Sequence, residues 1–392
     1  VSSAKREYYL ADRLGGVGFS EIVIIRNKIL SLKAAGQHIF QFEGGEPFAP
    51  TPQVIKAACG QALNENKTRY APSSGIPELI NLLAEKLRHK NKIPTTKEHV
   101  VVVVGGMQGL FTAFQTLLNP KDEVLLFSPY WTPTKDLIAL MESNTKLVNT
   151  LQARQQGLTA ALAAQLTPRT KALCLSSPQN PTGQVFTRAE ITEIANFVKE
   201  HNLLVISDEA YEDIVYDGEH VSIASLPEMY ERTISTFTFS KSYSMTGWRL
   251  GYVVAPEPFI EGIKQSVLYS TNGVSTPVQW AGVAAIQQCE DFIQENLVEY
   301  RRRRDLLVGG LQAVGFECPL PAGAFYAFPK FSKLSNLNSR DFATLLLEKA
   351  SVATVPGSVF GPDGEGYLRF SYSLSVDTIE QGLLALRCFL GK

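Results

Sequence analysis

Lys241 follows the run Thr-Phe-Thr-Phe-Ser, a stretch apolar enough to be a buried strand. Lysine is ordinarily a surface residue. Held out of water at a strand end, its amine loses basicity and becomes a nucleophile. Asp208 stands in the same relation to Leu-Leu-Val-Ile-Ser. A carboxylate there is costly unless it faces a cation, although a helix cap or a structural ion pair would also serve. Arg249, eight residues after Lys241 in TGWRLGY, can clamp a phosphate. Gly105 and Gly106 open the segment GGMQ after five consecutive valines. Glycines at a strand-to-helix turn let backbone approach an anion, and first-turn N–H groups favour negative charge, though a plain turn uses the same residues. Trp131, in SPYW, offers a flat face for stacking or simply fills a core. Asn180 lies between two prolines in PQNPTG, which either aim its amide or make an ordinary turn.

These groups share a context. Short β-branched runs at 100–104, 123–127, 146–150, 171–175, 203–206, 233–239 and 249–254 alternate with segments of helical periodicity. That alternation predicts an α/β fold: a mostly parallel central sheet with helices on both faces. Near-continuous apolar strands fit burial on both sides. In such sheets ligands bind outside the carboxyl ends of the strands, where the polar motifs fall. After about residue 290 the pattern changes to one long helix, short strands in AFYAFPKF and YLRFSY, and a final helix. This predicts a smaller α+β domain over 291–392, joined by an N-terminal arm over 1–47, with a large domain over 48–290 between them. The four arginines at 301–304 read as a solvated helix face.

The composition is that of an ordinary globular protein, and 37 basic against 38 acidic residues leave a net charge of −1. Nothing in that balance supports non-specific nucleic-acid binding, and no apolar run is long enough for a membrane span. The N-terminal segment shows no apolar signal core, so a cytoplasmic location is expected. Five widely spaced cysteines without a CxxC, and histidines without ligand spacing, argue against disulfides and metal sites and for small apolar cysteines in a reducing compartment. An imine-forming lysine, a carboxylate for a ring nitrogen, an aromatic face and a phosphate cradle together fit one cofactor, pyridoxal 5'-phosphate.

The chain resembles the class I/II aminotransferases, fold-type I pyridoxal-phosphate enzymes, from GGEP at 44–47 to YLRFSY at 367–372. SKSYSMTGWRLGY carries most of the likeness, with SSPQNPTG, SDEAY and KTRYAPSSGIPEL beside it. The resemblance implies that Lys241 is the Schiff-base lysine and carries the proton between substrate and cofactor. It implies that Asp208 pairs with the ring nitrogen, that Asn180 and Tyr211 hydrogen-bond the ring hydroxyl, and that Trp131 stacks on the ring. Gly106 and Met107 through their backbone, with Thr238, Ser240 and Arg249, match phosphate-holding positions. Tyr70 matches a tyrosine that reaches the neighbouring subunit's phosphate, implying a homodimer with shared sites. Arg369 matches the arginine that grips the substrate α-carboxylate as a bidentate fork, with Gly45 beside it. The implied activity is ping-pong transfer of an amino group from an L-amino acid to a 2-oxo acid. A lyase or cyclising enzyme on the same scaffold is the alternative, because the cofactor carries the chemistry. A regulatory protein lacks spare residues for a DNA-binding domain, and a nicotinamide enzyme lacks its glycine fingerprint.

The departures concern substrate. Many aspartate-using relatives have lysine where Met107 stands, the stretch SVLYSTNGVSTPVQW has no arginine, and the region of Ser20, Glu21 and Ile22 is apolar around a single acid. These features weaken an aspartate assignment and leave room for a neutral or aromatic side chain.

Overall fold

The computed structural model describes residues 9–18 and 21–392; Ser20 and the first eight residues of the arm lie outside them. Twelve strands occur among the described residues: β1 Phe40–Gln41, β2 Val100–Val103, β3 Glu123–Ser128, β4 Asn144–Asn149, β5 Thr170–Ser176, β6 Leu204–Asp208, β7 Thr233–Thr238, β8 Gly251–Val254, β9 Tyr326–Ala327, β10 Val352–Ala353, β11 Val355–Pro356 and β12 Leu368–Ser371. Seven of them form the central sheet in the order β2-β8-β7-β6-β5-β3-β4. All neighbours are parallel except β8, which runs antiparallel to both β2 and β7.

The unbroken apolar strands are explained by cores on both faces. Along β2, Val100 and Val102 pack into one core with Leu79 and Leu83, and Val101 and Val103 into another with Leu110 and Phe114. β3 alternates likewise, Val124 and Leu126 on one face, Leu125 and Phe127 on the other. Because side chains alternate across a strand, a strand buried on both faces needs apolar residues at every position. The flanking helices show the complementary period. Helix Arg188–Glu200 starts on a capping box between Thr187 and Glu190 and buries Ile191, Ile194, Ala195 and Val198.

A second body of structure covers one end of this sheet. β1 pairs in parallel with β10, and β11-β12-β9 form a small antiparallel sheet. The Ser371 amide donates to the Phe42 carbonyl at 2.7 Å, tying the N-terminal segment to β12. Phe42, Tyr300, Leu307, Phe342 and Phe370 share one core, which also takes in Tyr211 and Tyr326.

The reading of the four arginines requires correction. They lie on helix Glu290–Ala313, but only part of the run faces solvent: Arg303 is 9% and Arg304 3% exposed. The Arg303 guanidinium stacks 3.6 Å from the Phe48 ring centre, and Arg304 lies 4.8 Å from that of Tyr216 and pairs with Asp217. From first to last, four consecutive helical residues turn through about 300°, so such a run cannot all face one way.

All five cysteines are free, three of them buried. Among the described residues no helix is long and apolar enough to cross a membrane, and no three potential ligands gather as a metal site.

Candidate active site

A cavity of about 360 Å³ opens where the carboxyl ends of the parallel strands meet the small sheet. Its walls come from distant parts of the sequence. β2 leads through Val104 into Gly105 and Gly106 at the start of helix Gly105–Leu117, and β6 ends in Asp208. β7 ends in Thr238, whose hydroxyl caps the short helix Phe239–Ser242 that carries Lys241. Because β8 runs backwards, its first residues lie at this same edge, bringing Arg249 opposite Gly105. Gly45, Met107, Trp131, Asn180, Tyr211, Ser240 and Arg369 complete the set of sequence-selected residues lining the cavity. Tyr70 does not line it: it is 91% exposed, on a depression formed by residues 68–71 and 271–277.

Lys241 Nζ donates to the Gly45 carbonyl at 2.7 Å. Burial, then the charge of Arg369, lowers its pKa to about 8, with Glu46 and Asp208 opposing. A substantial fraction is therefore neutral amine at physiological pH. Asp208 moves the other way, to about 6, because burial outweighs the hydrogen bond donated by the Ala210 amide at 3.2 Å. Glu209, directly behind it, adds to the shift. Burial pushes Glu209 up too, but His220 and Ser222, at 2.8 and 2.5 Å, hold it low. Asp208 thus has an ionised neighbour and no ion pair of its own among the described residues.

Arg369 is 2% exposed. Its Nη1 donates to Asn180 Oδ1 at 3.0 Å and its Nη2 to the Glu43 carbonyl at 2.7 Å. The rings of Tyr326 and Phe360 lie 4.4 and 5.0 Å from its guanidinium carbon. Asn180 is fixed in turn by its own loop. Gln179 Nε2 donates to the Pro129 carbonyl at 2.8 Å, and Gln179 Oε1 accepts from the Thr182 hydroxyl at 2.5 Å. Tyr211 and Tyr326 share a hydroxyl–hydroxyl bond of 2.9 Å. Tyr326 and Glu43, both lining the cavity, are absent from the sequence reading. The only signal for Tyr326 is an aromatic in a short strand, and that is as common in cores.

A model of the aminotransferase class I and II family matches residues 38–386. The chain belongs to this family. It is similar to the probable aspartate/prephenate aminotransferase of Aquifex aeolicus, 40% identical over 388 residues, covering 96% of this chain and 98% of the relative. It is also similar to aromatic-amino-acid aminotransferase 2 of Thermococcus litoralis, 38% identical, covering 95% of this chain and 96% of that one. Among solved structures, Thermus thermophilus aspartate aminotransferase with maleate superposes with a TM-score of 0.93 at 36% identity, covering 98% of this chain and all of the other. The fold is fold-type I and the activity that of a pyridoxal-phosphate-dependent aminotransferase.

The cavity suits that cofactor on its own terms. A buried carboxylate without a cationic partner awaits a protonated ring nitrogen, and a partly neutral lysine awaits an aldehyde. The phosphate end has a cradle that a side chain would fill. A Cβ on Gly105 would lie 2.5 Å from Arg249 Nη2, and the φ of +72° there favours glycine. Gly105→Ala should therefore displace the guanidinium and weaken cofactor affinity about tenfold or more. Titration of cofactor-stripped protein reads this directly. Gly44→Ala, where a Cβ meets nothing within 4 Å, is the control.

Proposed function

We propose that this aminotransferase exchanges an amino group between a 2-oxo acid and an L-amino acid lacking a second carboxylate, neutral and aromatic side chains among them. The cation count of the cavity supports that reading most directly. Among the described residues only Lys241, Arg249 and Arg369 bring positive charge to it. The aldehyde, the phosphate and the substrate α-carboxylate account for all three. Met107, where a lysine would serve a distal carboxylate, is 38% exposed and apolar. The similar proteins named for aspartate and for aromatic amino acids bracket these options.

In this reading Arg249, Thr238, Ser240 and the backbone of Gly106 and Met107 would hold the phosphate, Trp131 would cover the ring, and Asn180 and Tyr211 would bond its hydroxyl oxygen. When bound, the cofactor supplies an electron sink for the pair left by a departing α-proton. Asp208 keeps the ring nitrogen protonated by ion pairing. Arg369 fixes the α-carboxylate, which orients the Cα–H bond toward Lys241. The Lys241 amine, which would link to the cofactor aldehyde when no substrate is present, would hold the proton taken from Cα and give it up again, and the second half-reaction would use the same group in reverse. The described parts of segments 1–47 and 291–392, acting as a small domain, would close over the site and exclude water.

We assign the cytoplasm as location and a homodimer as the assembly. Tyr70 and Tyr269, 91% and 87% exposed, support a partner at that face, across which Tyr70 reaches the second phosphate.

The test is a half-reaction panel. Single amino acids are mixed with holoenzyme, and conversion of the cofactor to its amine form is followed spectroscopically. Neutral or aromatic donors should outpace L-aspartate, with stoichiometric 2-oxo acid and no ammonia or cyclic product. L-Aspartate as the best donor would overturn the substrate reading. Dilution should release cofactor from Tyr70→Phe sooner than from wild type, tracking dissociation by ultracentrifugation. Arg369→Lys, which loses the bidentate fork, should raise KM for every amino acid about tenfold or more while cofactor affinity holds.

A further inference from the structure

Among the described residues lining the cavity, the mechanism above leaves one buried acid without a task. Glu43 lies two residues beyond β1, 6% exposed, and lines the cavity. Its Oε1 accepts a hydrogen bond from Gln41 Nε2 at 2.9 Å, and Gln41 is held in turn by Lys33 at 2.8 Å. Its Oε2 is buried and has no hydrogen-bond partner. A carboxylate oxygen out of water and unpaired is unfavourable, and a ligand that brings a donor relieves it.

The nearest explanation is that Glu43 neutralises Arg369. The hydrogen bonds do not have that form. Arg369 donates to the backbone carbonyl of Glu43 and to Asn180, while Arg369 Nε, like Glu43 Oε2, has no partner. Among the described residues the Glu43 carboxylate forms no ion pair, and its charge acts on Arg369 only through space, as a minor opposition to the burial that lowers the guanidinium's pKa. Any backbone carbonyl at this position would hold Arg369 equally well, so that contact does not call for an acid. The acid places negative charge at the edge of the α-carboxylate subsite, in a cavity whose cations are already committed.

We propose that Glu43 is a specificity-determining residue, and that the preferred amino donor carries a side chain ending in a cationic N–H donor, an ammonium or a guanidinium. The same charge repels the distal carboxylate of acidic amino acids. This rests on the aminotransferase reading and narrows its substrate class.

The experiment compares pairs that differ only in the terminal group, L-lysine against L-norleucine and L-ornithine against L-norvaline, with L-aspartate alongside, in single-turnover half-reactions of the dimeric holoenzyme. Wild type should favour each cationic member by about tenfold or more in rate over dissociation constant, mostly through binding. In Glu43→Gln, which keeps shape and removes charge, the lysine-to-norleucine ratio should fall by about tenfold, while the aspartate-to-norleucine ratio rises. Equal use of lysine and norleucine by wild type overturns the proposal, as does a Glu43→Gln variant that slows every donor alike. Should that variant not fold, the wild-type ratios decide alone. Failure of the underlying reading looks different: no amino acid would then convert the cofactor.

Discussion

Lys241→Ala should lower the rate of the amino-acid half-reaction by about 10⁴-fold, the upper end of what a positioned proton-transfer group supplies. The reason is geometric. Lys241 is the lysine lining the cavity, it sits on a four-residue helix capped by Thr238, and its Nζ reaches the Gly45 carbonyl. No other described side chain lining the cavity offers a neutral amine at that point. Cofactor should still bind, because Arg249, Thr238 and Ser240 are untouched, but its visible spectrum should become that of the unlinked aldehyde. The two readouts separate two roles. Lost activity with an unchanged spectrum would make Lys241 a proton carrier that is not the covalent anchor. A changed spectrum with retained turnover would mean the reverse. Retention of both would refute the assignment. Burial lowers the Lys241 pKa, so the folded chain disfavours its ammonium. That penalty is complete below about 8 and disappears as pH rises through the ordinary lysine range near 10.4. The cofactor-free alanine variant should consequently be no less stable than wild type at neutral pH, and a thermal melt checks it.

The sequence made one end of each parallel strand legible, because the polar motifs there follow directly on apolar runs. Lys241, Asp208 and Asn180 needed nothing more. Arg249 was legible as a group able to clamp a phosphate but not as one placed at the cavity, since a residue that enters a strand belongs to the wrong edge of a parallel sheet. The reversal of β8, invisible in its composition, puts it at the right one. The small sheet was legible only as an α+β tail. Strands of two residues, such as β9 and β10, are too short to show a period. Tyr326 was lost for that reason, although it touches both Tyr211 and Arg369. Glu43 was lost because an acid in a loop looks like any surface residue until burial is known. The arginines at 303 and 304 failed in the opposite direction: charge suggested solvent, while helical rotation aimed two of the four at Phe48 and Tyr216.

Asp208→Asn should have opposite effects on catalysis and on stability. In the proposed reading Asp208 would be the anion paired with the ring nitrogen of bound cofactor, and its loss should cost about 10²- to 10³-fold in the half-reaction, as removal of a charge-stabilising group in a dry site does. Without cofactor the same carboxylate is a liability. Its pKa is about 6 in the folded chain, raised by burial, against about 3.9 in the unfolded chain. The sign follows from proton uptake. Between those values the folded state binds more protons than the unfolded state, so stability falls as pH rises through the window. Below about 4 the penalty is absent, and above about 6 it is complete, about 3 kcal/mol for a shift near two units. Asparagine carries no such charge, and its amide oxygen can still accept from the Ala210 amide. The cofactor-free variant should therefore melt above cofactor-free wild type at pH 7.5, with the gap narrowing at pH 5. Added cofactor should reverse the order, since only wild type gains the ion pair. A stripped variant that melts below wild type at both pH values would show that Asp208 is stabilised by something other than its ligand, and the division of labour between Asp208 and Glu209 would have to be redrawn.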